Sequence, residues 1–158
     1  MYRRLNAVKD TYITNKIIRD SFRATDANVG EAATLDLFKL YDENSISGED
    51  DPVELTRILI KFDLNPLRAL TGSILDYTSD SFRCDIKLYD VFGGQTVPSN
   101  FKVLAAPLSQ SFDEGVGRDV FKFQDIDAAN FITASNSGGS SNIWFVSGAN
   151  RQGLLGSD

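Results

Sequence analysis

The chain has 158 residues, 22 Asp and Glu against 16 Lys and Arg, a net charge of −6, one cysteine and no histidine. That inventory excludes Ser-His-Asp, Cys-His and His-based metal chemistry within the chain, and a lone cysteine excludes an intramolecular disulfide. An acidic balance without a basic stripe argues against a nucleic-acid partner, and no window nears the roughly 18 apolar residues of a membrane span.

Residues 1–7 read as an N-terminal arm, where Arg3 and Arg4 form the one basic cluster and are candidate contact residues. The opening stretch lacks an apolar run of signal-peptide length, which predicts a protein made and kept in the cytosol. Residues 8–18 (VKDTYITNKII) are rich in β-formers and predict an early strand interrupted at Asn15. The polar run 19–30 predicts a loop closing on the turn Asn28-Val29-Gly30. Residues 32–41 alternate as a strand does, although a short helix can be drawn through the same run. Residues 42–54 are acidic and rich in turn formers, and predict an exposed loop with little to bury.

The alternation over Thr56–Asp63 is the most legible signal. It predicts a strand with Ile58, Ile60 and Phe62 on a buried face and Arg57, Leu59, Lys61 and Asp63 on a wet one. Residues 64–75 follow with Pro66 early and Leu67, Leu70 and Ile74 at helical spacing, predicting a short helix. Arg83–Phe92 repeats the strand pattern, with Cys84, Ile86 and Leu88 on one side and Asp85 and Lys87 on the other, before a Gly93-Gly94 turn. Further short strands are expected at Val103–Ala106, Val120–Phe123 and Ile143–Val146, the last after a loop at 135–142. Short strands between turns, with one short helix, define a mostly β chain: an antiparallel β-sandwich or jelly roll in a single domain over 1–158.

Few residues point to chemistry. Asp113-Glu114-Gly115-Val116-Gly117-Arg118-Asp119 could offer oxygen ligands to Ca²⁺, but it lacks the regular acidic spacing of a helix-loop-helix site, and a glycine-rich surface turn is the simpler reading. Gly115-x-Gly117 has neither the third glycine nor the Lys-Ser/Thr of a phosphate loop. Cys84 is expected in a core, as free cysteines behave as small hydrophobes. Trp144 is expected in a core or, alternatively, on a sugar-stacking platform. No carboxylate pair stands out, so no enzymatic activity and no cofactor is expected.

Three segments resemble a known pattern. Val8–Ile13 (VKDTYI), Ala27–Leu35 (ANVGEAATL) and Arg57–Leu64 (RILIKFDL) resemble, in order, the D-x-Y-[IV], N-[FY]-G-x-x-x-x-L and R-x-L-[IL]-[RK]-F-D-L motifs of the DNRLRE-type β-sandwich domain. Ser109–Asp119 is similar to that family's later W-x-E-G loop, with Phe112 in place of the tryptophan. The links at 36–54 and 64–80 are longer than the family's, and the resemblance implies further strands past the C-terminus, supplied by a longer precursor or a neighbouring chain. Such domains occur as carbohydrate-binding modules and as structural proteins of phage particles. The resemblance thus implies a non-enzymatic virion protein at a neck, collar, tail or capsid surface. It would be made in the host cytoplasm, form a homo-oligomer and contact other virion proteins. The alternative is a carbohydrate-binding module whose Trp144, Tyr89 or Tyr77 stacks on a polysaccharide.

Overall fold

The early strand forms where its β-branched and aromatic residues predict it, as β1 (Ala7–Thr14), and Asn15 ends it. The computed structural model describes residues 2–71, 74–91 and 102–149. In chain order, β2 (Ile17–Ile18), β3 (Phe22–Arg23), β4 (Lys39–Tyr41) and β5 (Val53–Phe62) follow. Then come a single helical turn, α1 (Asn65–Arg68), strands β6 (Thr133–Ser137) and β7 (Ser140–Ile143), and a 3-10 turn at Ser147–Ala149. The chain is mostly β with antiparallel pairings, and the described strands make three hydrogen-bonded sets: β1-β5-β4, β2-β3 and β6-β7.

β5 is the central strand of the largest set. It pairs antiparallel with β4, placing Leu40 opposite Glu54. On its other side the end of β1 meets the start of β5 through Asn15. The Asn15 side chain donates to the Val53 carbonyl at 3.1 Å and accepts from the Leu55 amide at 2.8 Å. An amide side chain thus continues the ladder after the strand itself has turned away.

The one-face pattern read for β5 is overturned. Ile58 packs against a cluster built on Tyr12, Ile18, Ala24, Ala27, Val29 and Val120. Leu59, placed on the wet face by its charged neighbours, is buried in a second cluster with Ile13, Phe112, Ala129, Ala134 and Trp144. Adjacent residues of β1 divide the same way, Tyr12 to the first cluster and Ile13 to the second. Since neighbouring side chains of a strand point to opposite faces, the sheet carries apolar packing on both.

Turn chemistry explains two hairpins that the sequence concealed. Arg19 and Asp20 both take φ near +51°, and the Ser21 amide donates to the Ile18 carbonyl, so a tight turn joins β2 to β3 inside the run read as a loop. Gly138 and Gly139 take φ of 61° and 83° and join β6 to β7, where residues 135–142 read as loop. Two successive left-handed residues favour glycine and match the strand twist of a two-residue hairpin.

Elsewhere the strand expectations shrink or fail. Only Lys39–Tyr41 of 32–41 is strand, and the helix expected over 64–75 is one turn followed by hydrogen-bonded turns. Residues 83–91 and 103–106 join no strand, 120–122 form turns, and Trp144 lies just beyond β7. Phe92 and the Gly93-Gly94 turn fall outside the described residues. The acidic loop at 42–52 is largely exposed as expected, but its last predicted member, Glu54, is buried in β5.

The chain divides into two units, one of Val8–Lys61 with residues from Leu108 onward and one of Met1–Ala7 with Phe62–Pro107. The first contains all of the buried residues described. In the second, Cys84, expected in a core, is exposed, as are Ile74, Tyr77, Ile86, Leu88, Tyr89 and Val91.

Candidate functional site

Three of the motif segments singled out in the sequence converge on one junction, organised by Asn28. This side chain is fully buried and uses all four of its hydrogen-bonding positions. Its amide donates to the Glu114 and Ala129 carbonyls, each at 2.8 Å. Its oxygen accepts from the amides of Gly30 at 3.1 Å and Gly117 at 2.9 Å. The glycines are required for space: a Cβ on Gly30 would strike the Glu114 carbonyl, and one on Gly117 would strike the Asn28 backbone. Gly115 combines φ of +79° with a Cβ direction aimed at the Asn28 amide. The string DEGVGRD is therefore shaped to receive an asparagine.

Glu114 ties in the first strand by accepting from the Asp10 amide at 2.7 Å. Partial burial, followed by the nearby Glu114 charge and a side-chain hydrogen bond with it, raises the Asp10 carboxyl above its ordinary range. Tyr12 is likewise raised, chiefly by burial and then by Asp36.

Beside the junction lies an open depression of about 220 Å³ lined by Asp113, Gly115, Asp125, Asp127, Ala128 and Asn136. Two of its three carboxylates are already engaged. Asp113 accepts from the Asn136 amide at 3.1 Å and pairs with Lys9 at 3.7 Å, and Asp125 accepts from the Val116 amide at 2.9 Å. Within the string considered for Ca²⁺, Asp113, Glu114 and Asp119 each face a different partner, Asp119 binding the Phe121 amide and Lys122. Among the described residues no group of three or more Asp, Glu, Cys or His is placed to hold a metal ion. Hydrogen bonds to Asn28, Asp10 and Asn136 hold the loop in place.

Trp144 resolves to the core. It is 3% exposed, and its indole nitrogen donates to the Asn130 carbonyl at 2.7 Å, leaving no ring face for a sugar. Its neighbour Phe145 is the exposed aromatic of that pair. Tyr89 and Tyr77 are open, at 72% and 66%, and Arg3 and Arg4 are exposed in the N-terminal arm.

Sequence reasoning missed two further polar residues that organise the fold, Asn130 and Glu54. Asn130 is as fully used as Asn28, donating to the Ile126 and Ala128 carbonyls and accepting from the Ile132 and Thr133 amides. Glu54 accepts from the Ile17 amide at 2.7 Å and from Asn44 at 2.6 Å. The only sequence sign was an asparagine beside glycine or alanine runs, which marks many surface turns too.

No family model matches the chain, and no curated protein or solved structure matches it. The likeness to the DNRLRE-type domain therefore rests on the ordered motifs alone. No helix among the described residues is long and apolar enough to cross a membrane.

Proposed function

We propose that this protein is a non-enzymatic structural component of a bacteriophage particle, working through protein–protein contact and self-association. The carrying observation is that Ile74, Tyr77, Ile86, Leu88, Tyr89 and Val91 are all exposed, in a stretch without a buried residue among those described. Isolated apolar side chains on a surface are ordinary, but a concentration of this kind marks an interaction surface. The ordered motifs favour a virion setting, at a neck, collar, tail or capsid surface. Glu114, Asp125 and Asp113, near the Asn28 junction, each accept from a backbone amide, which supports a scaffold role for these three side chains.

Mass spectrometry of purified particles, with the oligomeric mass in solution, tests this reading. The expected result is the chain in the particle and a mass above the monomer. A monomer absent from particles would overturn it. The second reading, a carbohydrate-binding module, is supported by the open rings of Tyr77 and Tyr89. Loss of polysaccharide retention in affinity electrophoresis on Tyr89→Ala would favour that reading instead.

A further inference from the structure

Residues 83–91 carry the sequence pattern of a half-buried strand but have no strand partner among the described residues. Cys84, Ile86 and Leu88 fall on one side, and Asp85, Lys87 and Tyr89 on the other. Lys87 lies over the Tyr89 ring at 5.7 Å, as expected of side chains two apart on one side of an extended chain. No residue of this stretch has a positive φ, and both apolar members of the first side after Cys84 are more than half exposed. Open backbone groups beside an apolar row favour strand addition.

We propose that residues 83–89 pair antiparallel with the same residues of a second copy of this chain, about a two-fold axis through Ile86. The inference rests on the contact-and-oligomerisation reading above and names the surface responsible. Charge selects the register. With Ile86 opposite itself, Asp85 faces Lys87 twice, Cys84 faces Leu88 twice, and Arg83 faces the Tyr89 ring twice. The apolar members then share one side.

Neighbouring registers fail on the same criteria. An axis through Lys87 or Asp85 sets like charges directly opposite, which is destabilising. An axis between residues puts the apolar side of one copy against the polar side of the other. An axis through Leu88 sets Ile86 against Asp90. An axis through Cys84 needs residues 79–82 extended, where the Phe82 amide instead closes a turn onto the Ser79 carbonyl at 2.9 Å. In-register parallel pairing stacks Asp85 on Asp85 and Lys87 on Lys87.

Sedimentation equilibrium of the full chain tests the pairing. Asp85→Lys alone, and Lys87→Asp alone, each turn two attractive pairs into two repulsive ones and should weaken the dimer by about tenfold or more. The double variant Asp85→Lys/Lys87→Asp restores both attractions and should return to within about threefold of the parent. Mild oxidation of Cys84→Ser/Ile86→Cys should give a covalent dimer. Directly opposed strand residues lie about 4.5–5.5 Å apart at Cα, inside the roughly 4.4–6.8 Å that a disulfide spans.

Dimer strength unmoved by either single swap, or cross-linking through Lys87→Cys but not Ile86→Cys in the Cys84→Ser background, would overturn the pairing. A protein that self-associates through another surface, or is monomeric yet present in purified particles, would also overturn it while leaving the contact reading in place. A monomer absent from particles would remove both.

Discussion

Residues 8–61 with 108–149 and residues 62–107 have similar proportions of apolar side chains and opposite fates. The first region contains all the buried residues described, whereas those described in the second contain none. The difference lies in polar anchoring. In the first region Asn28 and Asn130 each make four hydrogen bonds, and Asn15 and Glu54 clamp β1 and β2 to β5, so irregular backbone is held firmly enough for apolar groups to meet. In the second, Asp76 and Ser79 fix only exposed local turns. Apolar residues bury only when the chain between them has somewhere to place its amides and carbonyls.

The comparison can be broken most sharply at Trp144. Trp144→Ala should cost about 3–5 kcal/mol, read as a lowered urea midpoint, because it empties the centre of the second cluster and frees the Asn130 carbonyl. Asn28→Ala should follow at about 3 kcal/mol, since it removes the partner of two carbonyls and two amides at once. For a chain of this size that lowers the melting temperature by at least about 6 °C in calorimetry. An Asn28→Ala protein with an unchanged melting temperature would show that the junction is ornament.

A smaller effect should appear at Asp10. Its carboxyl is raised by burial first and by Glu114 second, so the fold favours its protonated form. The contribution is fully present below the ordinary carboxylate range and is lost as pH rises through the raised value. Asp10→Asn should therefore raise the melting temperature at pH 7, with the gain disappearing below about pH 4. At the low end, Leu88→Ser should change monomer stability by no more than about 0.5 kcal/mol in dilute solution, as befits an exposed position. A larger loss would mean that the exposed stretch supports the core after all.

Much of the backbone pattern was legible and much of its meaning was not. β1 and β5 were visible because β-branched residues and period-two alternation are local signals. Leu59 was misread because Arg57 and Lys61 flank it. Arg57 nevertheless reaches the Gly148 carbonyl at 3.1 Å from within the sheet, so a charged neighbour did not mean a wet face. The β6–β7 hairpin was hidden by its composition, Ser and Asn being weak strand formers, and only Gly138-Gly139 betrayed it. Residues 83–91 failed the other way: the alternation is present, but no strand among the described residues pairs with it. Of the candidate site, the Asn28-Val29-Gly30 and DEGVGRD strings were noticed separately, and their mutual fit depends on contacts nearly ninety positions apart, which no local pattern encodes.

That separation bears on how quickly the protein assembles. Every bond from Asn28 to Glu114 or Gly117 closes a loop through residues 62–107. The entropy of such a closure grows only logarithmically, about 0.6 kcal/mol for each doubling of length, so the long excursion is a light load on the finished fold. Its weight falls on the search, because contacts so distant must be found before they begin to stabilise anything. The docking of Asn28 between Gly30 and Gly117 should therefore weigh more on the rate of folding than on the stability of the finished protein.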